Sequence, residues 1–129
     1  MRHNYNKLRQ LSTGVQKRQS VIRSLLTSLV ENGRIETTPK RAKVTKYEMD
    51  KLFSKLVRMY NNYEDKKDAN REIIREVKKV FFTEVAGKKV VSELLPKYLD
   101  EKRDSGFVRF YRTGVRQGDG VTKILLELV

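Results

Sequence analysis

The spacing of the apolar residues changes in the last quarter of the chain, and that change limits the fold more than any other feature. Up to about residue 100 they recur in steps of three and four, which gathers them on one side of an α-helix. After Gly106 the step falls to two. Ile124, Leu126 and Leu128 alternate onto one face, and the stretches Gly106 to Arg112 and Val121 to Val129 are rich in Val, Phe, Tyr, Ile and Leu, as in a hairpin. Helices followed by paired strands make an α+β fold. A chain of 129 residues has room for one domain, with helices packed on one side of a small, roughly three-stranded sheet.

Within the helical part, Thr13-Gly14-Val15-Gln16 has the form of a capping box and predicts a helix start. Val15, Ile22, Leu25, Leu26, Leu29 and Val30 make its buried stripe, and Asn32-Gly33 supplies a left-handed stop. Arg34 to Thr37 alternates and reads as a short strand. Thr38-Pro39 then opens a second helix, because proline in the first turn gives up an amide that has no partner there. This helix runs to about Tyr60 on Ala42, Met49, Leu52, Phe53, Leu56 and Tyr60. After the polar connection Asn61 to Lys67, Asp68 is the expected cap of a third helix with Ile73, Ile74, Val77, Val80, Phe81 and Val85 on its stripe. Gly87 is its expected end. Glu72 with Arg75 and Glu76 with Lys79 are spaced as surface ion pairs. Lys88 to about Asp100 continues as helix, with Pro96 expected to kink or end it. Three glycines in Thr113 to Gly120 fit the loop of the hairpin.

Charge separates the two ends. The first 46 residues hold eleven Lys or Arg (Arg2, Lys7, Arg9, Lys17, Arg18, Arg23, Arg34, Lys40, Arg41, Lys43 and Lys46) against Glu31 and Glu36, whereas the rest is nearly balanced within a net charge of +13. A polyanion is the expected partner of such an end. Residues 1–12 lack apolar periodicity and read as a basic extended arm, and residues 13–129 as the domain that carries it. A terminus of this kind frays unless a partner orders it. Arg2, Lys7 and Arg9 would meet phosphates while Tyr5 stacks on a base, a combination suited to irregular RNA. Lys40, Arg41, Lys43 and Lys46 crowd the first turns of the second helix, where cations oppose the macrodipole. A bound phosphate reverses that sign. Candidate RNA contacts are therefore Arg2, His3, Tyr5, Lys7, Arg9, Lys17, Arg18, Arg23, Thr38, Lys40, Arg41, Lys43 and Lys46, with Arg109, Arg112 and Arg116 as a smaller cluster beside the hairpin loop.

Composition argues against other classes. There is no cysteine, one histidine at position 3 and no serine in a nucleophile motif, so acid-base or covalent catalysis lacks its usual groups and no cofactor is expected. Gly118-Asp119-Gly120 lacks the Lys-Ser/Thr and following helix of a phosphate loop. His3 could bind Cu(II) through the terminal amine, but the arm has a better use, and no metal is expected. Apolar runs stop at three residues, so a membrane span or signal core is not expected. The alternative is an architectural or regulatory DNA-binding protein. It would need base-reading Asn, Gln and Arg along one exposed helix face, which neither basic helix offers clearly.

Several motifs resemble the bacterial large ribosomal subunit protein seventeen family. They are Met1-Arg2-His3, Lys17-Arg18-Gln19 with Arg23, Leu29-Val30, Ile35-Glu36-Thr37-Thr38 and Arg41-Ala42-Lys43. Later come Ser105-Gly106-Phe107-Val108-Arg109, Arg116-Gln117-Gly118-Asp119 and the closing Leu126-Glu127-Leu128-Val129. The resemblance implies a non-enzymatic cytoplasmic component of the large ribosomal subunit whose basic N-terminal half contacts large-subunit rRNA. It also implies ribosomal protein neighbours such as proteins twenty-two and thirty-two. Against the family pattern, Lys17 replaces a histidine, Ser105 replaces the first of two glycines, and the segment from Met59 to Lys88 is longer.

Overall fold

A computed structural model describes residues 7–129. Helix α1 (Val15–Asn32) ends as expected: Gly33 takes φ 76° and its amide bonds the Leu29 carbonyl at 2.9 Å. Its start differs from the expected capping box. Gly14 holds the cap position at φ 83°, no side chain caps it, and Thr13 Oγ1 is buried without a partner among the described residues. The positive φ at Gly14, with ψ extended at 165°, carries the Thr13 hydroxyl away from the first helical amides. Val15 is 78% exposed, and the apolar position before Ile22 in the core is Leu11, upstream of the helix. The N-terminal stretch is thus not free along its whole length. Lys7–Arg9 forms a single 3-10 turn, Leu8 packs on the core, and the Lys7 carbonyl accepts Lys40 Nζ at 2.7 Å.

Strand β1 (Arg34–Thr37) and helix α2 (Pro39–Asn62) follow with the predicted boundary between them. Thr38 has the extended backbone of a cap, but its hydroxyl makes no capping bond. Ala42, Met49, Leu52, Phe53 and Leu56 are buried as expected, joined by Val44, Thr45 and Val57, while Tyr60 is only half-buried under Lys66.

Helix α3 (Lys66–Val80) is capped by Asp65, whose carboxylate accepts the Lys67 amide at 2.9 Å; the expected cap, Asp68, pairs with Arg71 instead. The predicted Glu72–Arg75 and Glu76–Lys79 pairs are present. The helix stops at Val80 rather than at Gly87, for a reason that lies in α1. Arg23 Nε donates to the Val80 carbonyl at 3.1 Å, and Thr27 Oγ1 accepts the Phe82 amide at 3.2 Å while donating to the Arg23 carbonyl. These bonds satisfy backbone groups that a continuing helix would otherwise use. Ile74 and Val85, expected on the stripe, are exposed.

Thr83 caps helix α4 (Glu84–Lys89), and Gly87 sits inside it, where an added Cβ would meet Val77 Cγ1 at 3.2 Å. The small residue lets α4 approach α3. A π-helical turn, Val90–Leu94, then leads into α5 (Leu95–Asp100). The kink expected at Pro96 takes this form, because a wider turn accommodates the ring and the missing amide without ending the helix.

Strands β2 (Val108–Val115) and β3 (Thr122–Leu128) complete an antiparallel sheet of order β1-β3-β2, with Ile35 opposite Leu126 and Phe110 also opposite Leu126. The hairpin is longer than its glycines suggest. An irregularity between Arg112 and Gly114 lets β2 run on to Val115, and the connection shrinks to the turn between Arg116 and Val121. The Arg116 amide donates to the Val121 carbonyl at 2.8 Å and closes that turn.

Sheet and helices meet at three rings. Phe53 of α2, Tyr98 of α5 and Phe107 before β2 are fully buried with centroids 4.9 to 5.4 Å apart. Asp50 accepts the Phe107 amide at 3.0 Å, fixing the entry to β2. The Tyr98 phenol donates to the Val129 carbonyl at 3.3 Å, and burial pushes its pKa up to about 12. The folded state therefore holds this proton longer than the unfolded chain does. The stabilisation is complete below the ordinary tyrosine range near pH 10 and is lost as pH rises toward about 12. Alkaline unfolding followed by circular dichroism should show this loss in the wild type, and Tyr98→Phe should remove that component.

Candidate nucleic-acid interface

Helices α1 and α2 leave β1 and its flanking turns between them, and the side chains of this junction line two depressions. The first is formed by Lys17, Ser20, Val21, Ser24 and Leu25 of α1, Arg41 of α2 and Phe82 from the break after α3. The second lies where β1 meets the hairpin and is lined by Glu36, Thr37, Thr38, Arg41, Arg116, Val121, Thr122 and Lys123. Arg41 belongs to both. Thr38, whose hydroxyl makes no capping bond, lines the second. The first turn of α2 contains no acidic residue to offset Lys40 and Arg41, so the positive end of the helix and two cations coincide.

The candidate cations fall into distinct environments. Among the described residues, Lys17, Arg18, Arg41 and Lys43 make no ion pair with a carboxylate. Arg18 Nε is moreover shielded from solvent and lacks a hydrogen-bond partner. Arg9 is neutralised by Glu48 at 3.0 Å and bonded to Gln19; the Arg9 Nε and Glu48 Oε1 atoms are close but poorly aligned, so this is an ion pair more than a hydrogen bond. Lys46 pairs with Asp50 at 2.8 Å. Arg23 is committed to the interior, donating to Val80 and lying 4.2 Å over the Phe82 ring, which it holds at the rim of the first depression. Lys40 reaches the Lys7 backbone. Arg2, His3 and Tyr5 lie outside the described residues.

The smaller cluster expected around the hairpin is not assembled. Successive strand residues face opposite sides of a sheet, so Arg109 and Arg112 of β2 diverge, and Arg109 stands opposite Glu127. Only Arg116 reaches the α2 junction, and it is gripped by both carboxylate oxygens of Asp119. That contact, with the Val121 amide at 3.3 Å, holds the Asp119 carboxyl down at about 2. Its contribution is present above the ordinary aspartate range near 3.8 and is lost as pH falls toward about 2. A carboxyl NMR titration should find this midpoint near 2, and Arg116→Gln should move it up. Sequence reasoning missed Lys123, which enters the second depression because β3 pairs with β1 and there meets Glu36 at 3.5 Å. No local signal marks it. Phe82 was concealed as one of three consecutive apolar residues.

Fold and charge together define a small, basic α+β protein whose unpaired cations are mounted on an ordered helix-strand-helix scaffold. No helix among the described residues is long and apolar enough to cross a membrane. The sequence profile described as Ribosomal protein L17 matches residues 21–129. The chain is similar to the large ribosomal subunit protein bL17 of Lactiplantibacillus plantarum, at 37% identity over 97% of this chain and 98% of the relative. The bL17 protein of Clostridium acetobutylicum is 34% identical over 94% and 96%, and that of Fervidobacterium nodosum 34% identical over 100% and 99%. The chain belongs to the ribosomal protein L17 family. It is accordingly a structural, non-enzymatic protein of the large ribosomal subunit and works in the cytoplasm, with rRNA and other ribosomal proteins around it.

Proposed function

We propose that this chain binds and stabilises large-subunit rRNA through a basic arm at residues 1–12 and through the first two helices of the domain at residues 13–129. The observation that carries the reading is Arg41, unpaired among the described residues and shared by two depressions, with Lys17 in one and Thr38 in the other. Phosphates entering both would bring two RNA segments to one guanidinium. Neutralising them lowers the repulsion between the segments. Lys17, Arg18, Arg41 and Lys43 are the direct contacts, and Lys7, Lys40 and Lys46 add field from their edges. Arg23 acts from behind by holding Phe82. Arg9 exchanges Glu48 for phosphate only at some cost, and the same applies to Arg116 with Asp119. Arg2, His3 and Tyr5 extend the contact along the RNA, while Arg109 and Arg112, on opposite faces of the sheet, both stand apart from this junction, and neighbouring proteins are their better partners. Proteins twenty-two and thirty-two are the proposed neighbours.

Sedimentation of the tagged protein through a high-salt sucrose gradient tests the proposal. It should travel with the large subunit and be released when ribonuclease cuts the RNA. Protein remaining at the top of the gradient, with a footprint on a defined duplex DNA site, would support the architectural DNA-binding alternative.

A further inference from the structure

The outward face of α2 begins at the junction, with Lys40 and Lys43, and continues into residues that the junction does not use. At about 100° per residue, Lys40, Lys43, Tyr47, Lys51 and Arg58 fall close to one line along the helix, a stripe of roughly 27 Å at about 1.5 Å per residue. All five are exposed, and Tyr47 retains 50% of its surface. Among the described residues none of the four cations pairs with a carboxylate. The acids nearest the stripe are already engaged, Glu48 with Arg9 and Asp50 with Lys46 and the Phe107 amide. The face is therefore positive without interruption. In its middle lies a single aromatic ring, with Lys51 Nζ 6.0 Å from the ring centroid.

An uncovered tyrosine among unpaired cations suits one kind of partner. A double-stranded helix offers phosphates but hides the flat faces of its bases, and an acidic peptide would satisfy the lysines yet give the ring nothing to stack on. An unpaired RNA segment offers both. We infer that the outer face of α2 seats an unpaired RNA base on the Tyr47 ring, with Lys43 and Lys51, one turn to either side, meeting the flanking phosphates. Arg58 and Lys40 extend the electrostatic track at its two ends. This inference rests on the proposed RNA binding and shares Lys40 and Lys43 with it, but adds Tyr47, Lys51 and Arg58 and a different mode of contact.

The chain has no tryptophan, so Tyr47→Trp places one fluorophore on the stripe. Its emission should be quenched by a single-stranded oligoadenylate ten nucleotides long and unchanged by a blunt RNA duplex of the same length. In the otherwise unmodified protein, Tyr47→Ala should weaken binding of that single strand roughly tenfold while leaving the dependence of log affinity on log salt unaltered. Tyr47→Phe should restore binding. Lys51→Ala should instead lower the salt slope by about 0.7. Circular dichroism melts confirm that each variant folds, as expected for an exposed side chain. If the wild type binds the single strand and Tyr47→Ala binds it equally well, the stacking seat is overturned and the junction reading survives. If the wild type binds neither probe nor large-subunit rRNA, both readings fall.

Discussion

Phe53→Ala is expected to destabilise the protein by about 3 to 5 kcal/mol, the range for removing a fully buried aromatic ring and leaving a cavity. The position is severe because Phe53 touches both other rings of the core cluster, edge-on to Tyr98 at 5.0 Å and tilted against Phe107 at 5.4 Å. Each aromatic pair adds roughly 0.5 to 1.5 kcal/mol beyond the area it buries. The ring also joins three elements, so the cavity cannot close by moving one of them. A fall in Tm of roughly 10 to 20 °C should be seen by thermal melting. Phe82→Ala is the internal comparison: the residue is 52% exposed and its ring lies against the Arg23 guanidinium, so its melting shift should be far smaller. Equal shifts would mean that the three-ring cluster does not tie sheet to helices.

The second large effect concerns binding. Replacing Arg41 and Lys43 together by glutamine should weaken binding of large-subunit rRNA transcripts roughly tenfold or more near physiological salt. It should also flatten the slope of log affinity against log salt by about 1.5, at roughly 0.7 to 0.9 for each phosphate that is no longer neutralised. Stability should move the other way. Arg41 stands in the first turn of α2, where a cation opposes the helix dipole, so its removal should raise stability by about 0.3 to 1 kcal/mol. A variant that melts higher and binds worse would mark these residues as retained for a ligand. An unchanged salt slope would place both side chains in solvent.

The parts of the fold visible in the sequence are those decided by near neighbours. Gly33 stops α1 because its own backbone must turn left, Pro39 opens α2 because its own ring lacks an amide, and the alternation of Ile124, Leu126 and Leu128 is a property of that strand alone. What stayed hidden depends on residues far away in sequence. The break after Val80 is made by Arg23 and Thr27, and the length of the hairpin by a register irregularity among pairs with β3. For the candidate site, counting charges located the basic end but could not say which cations are free. The Lys46–Asp50 pair was readable from its four-residue spacing; the Arg9–Glu48 pair was not, since only packing brings the turn before α1 against α2.

The strand order β1-β3-β2 has a consequence for the making of the protein. A ribosome delivers α1, β1 and α2 first, yet β1 has no hydrogen-bonding partner until β3 emerges, because Ile35 waits for Leu126 and Thr37 for Ile124. The backbone beside Thr38 and Arg41 is thus locked by the final element in chain order. Such long-range closure is slow compared with helix formation. A nascent chain therefore carries the charge of its first two helices before the strand between them is held in place, and the emergence of β3 is the step that fixes the geometry of the proposed surface.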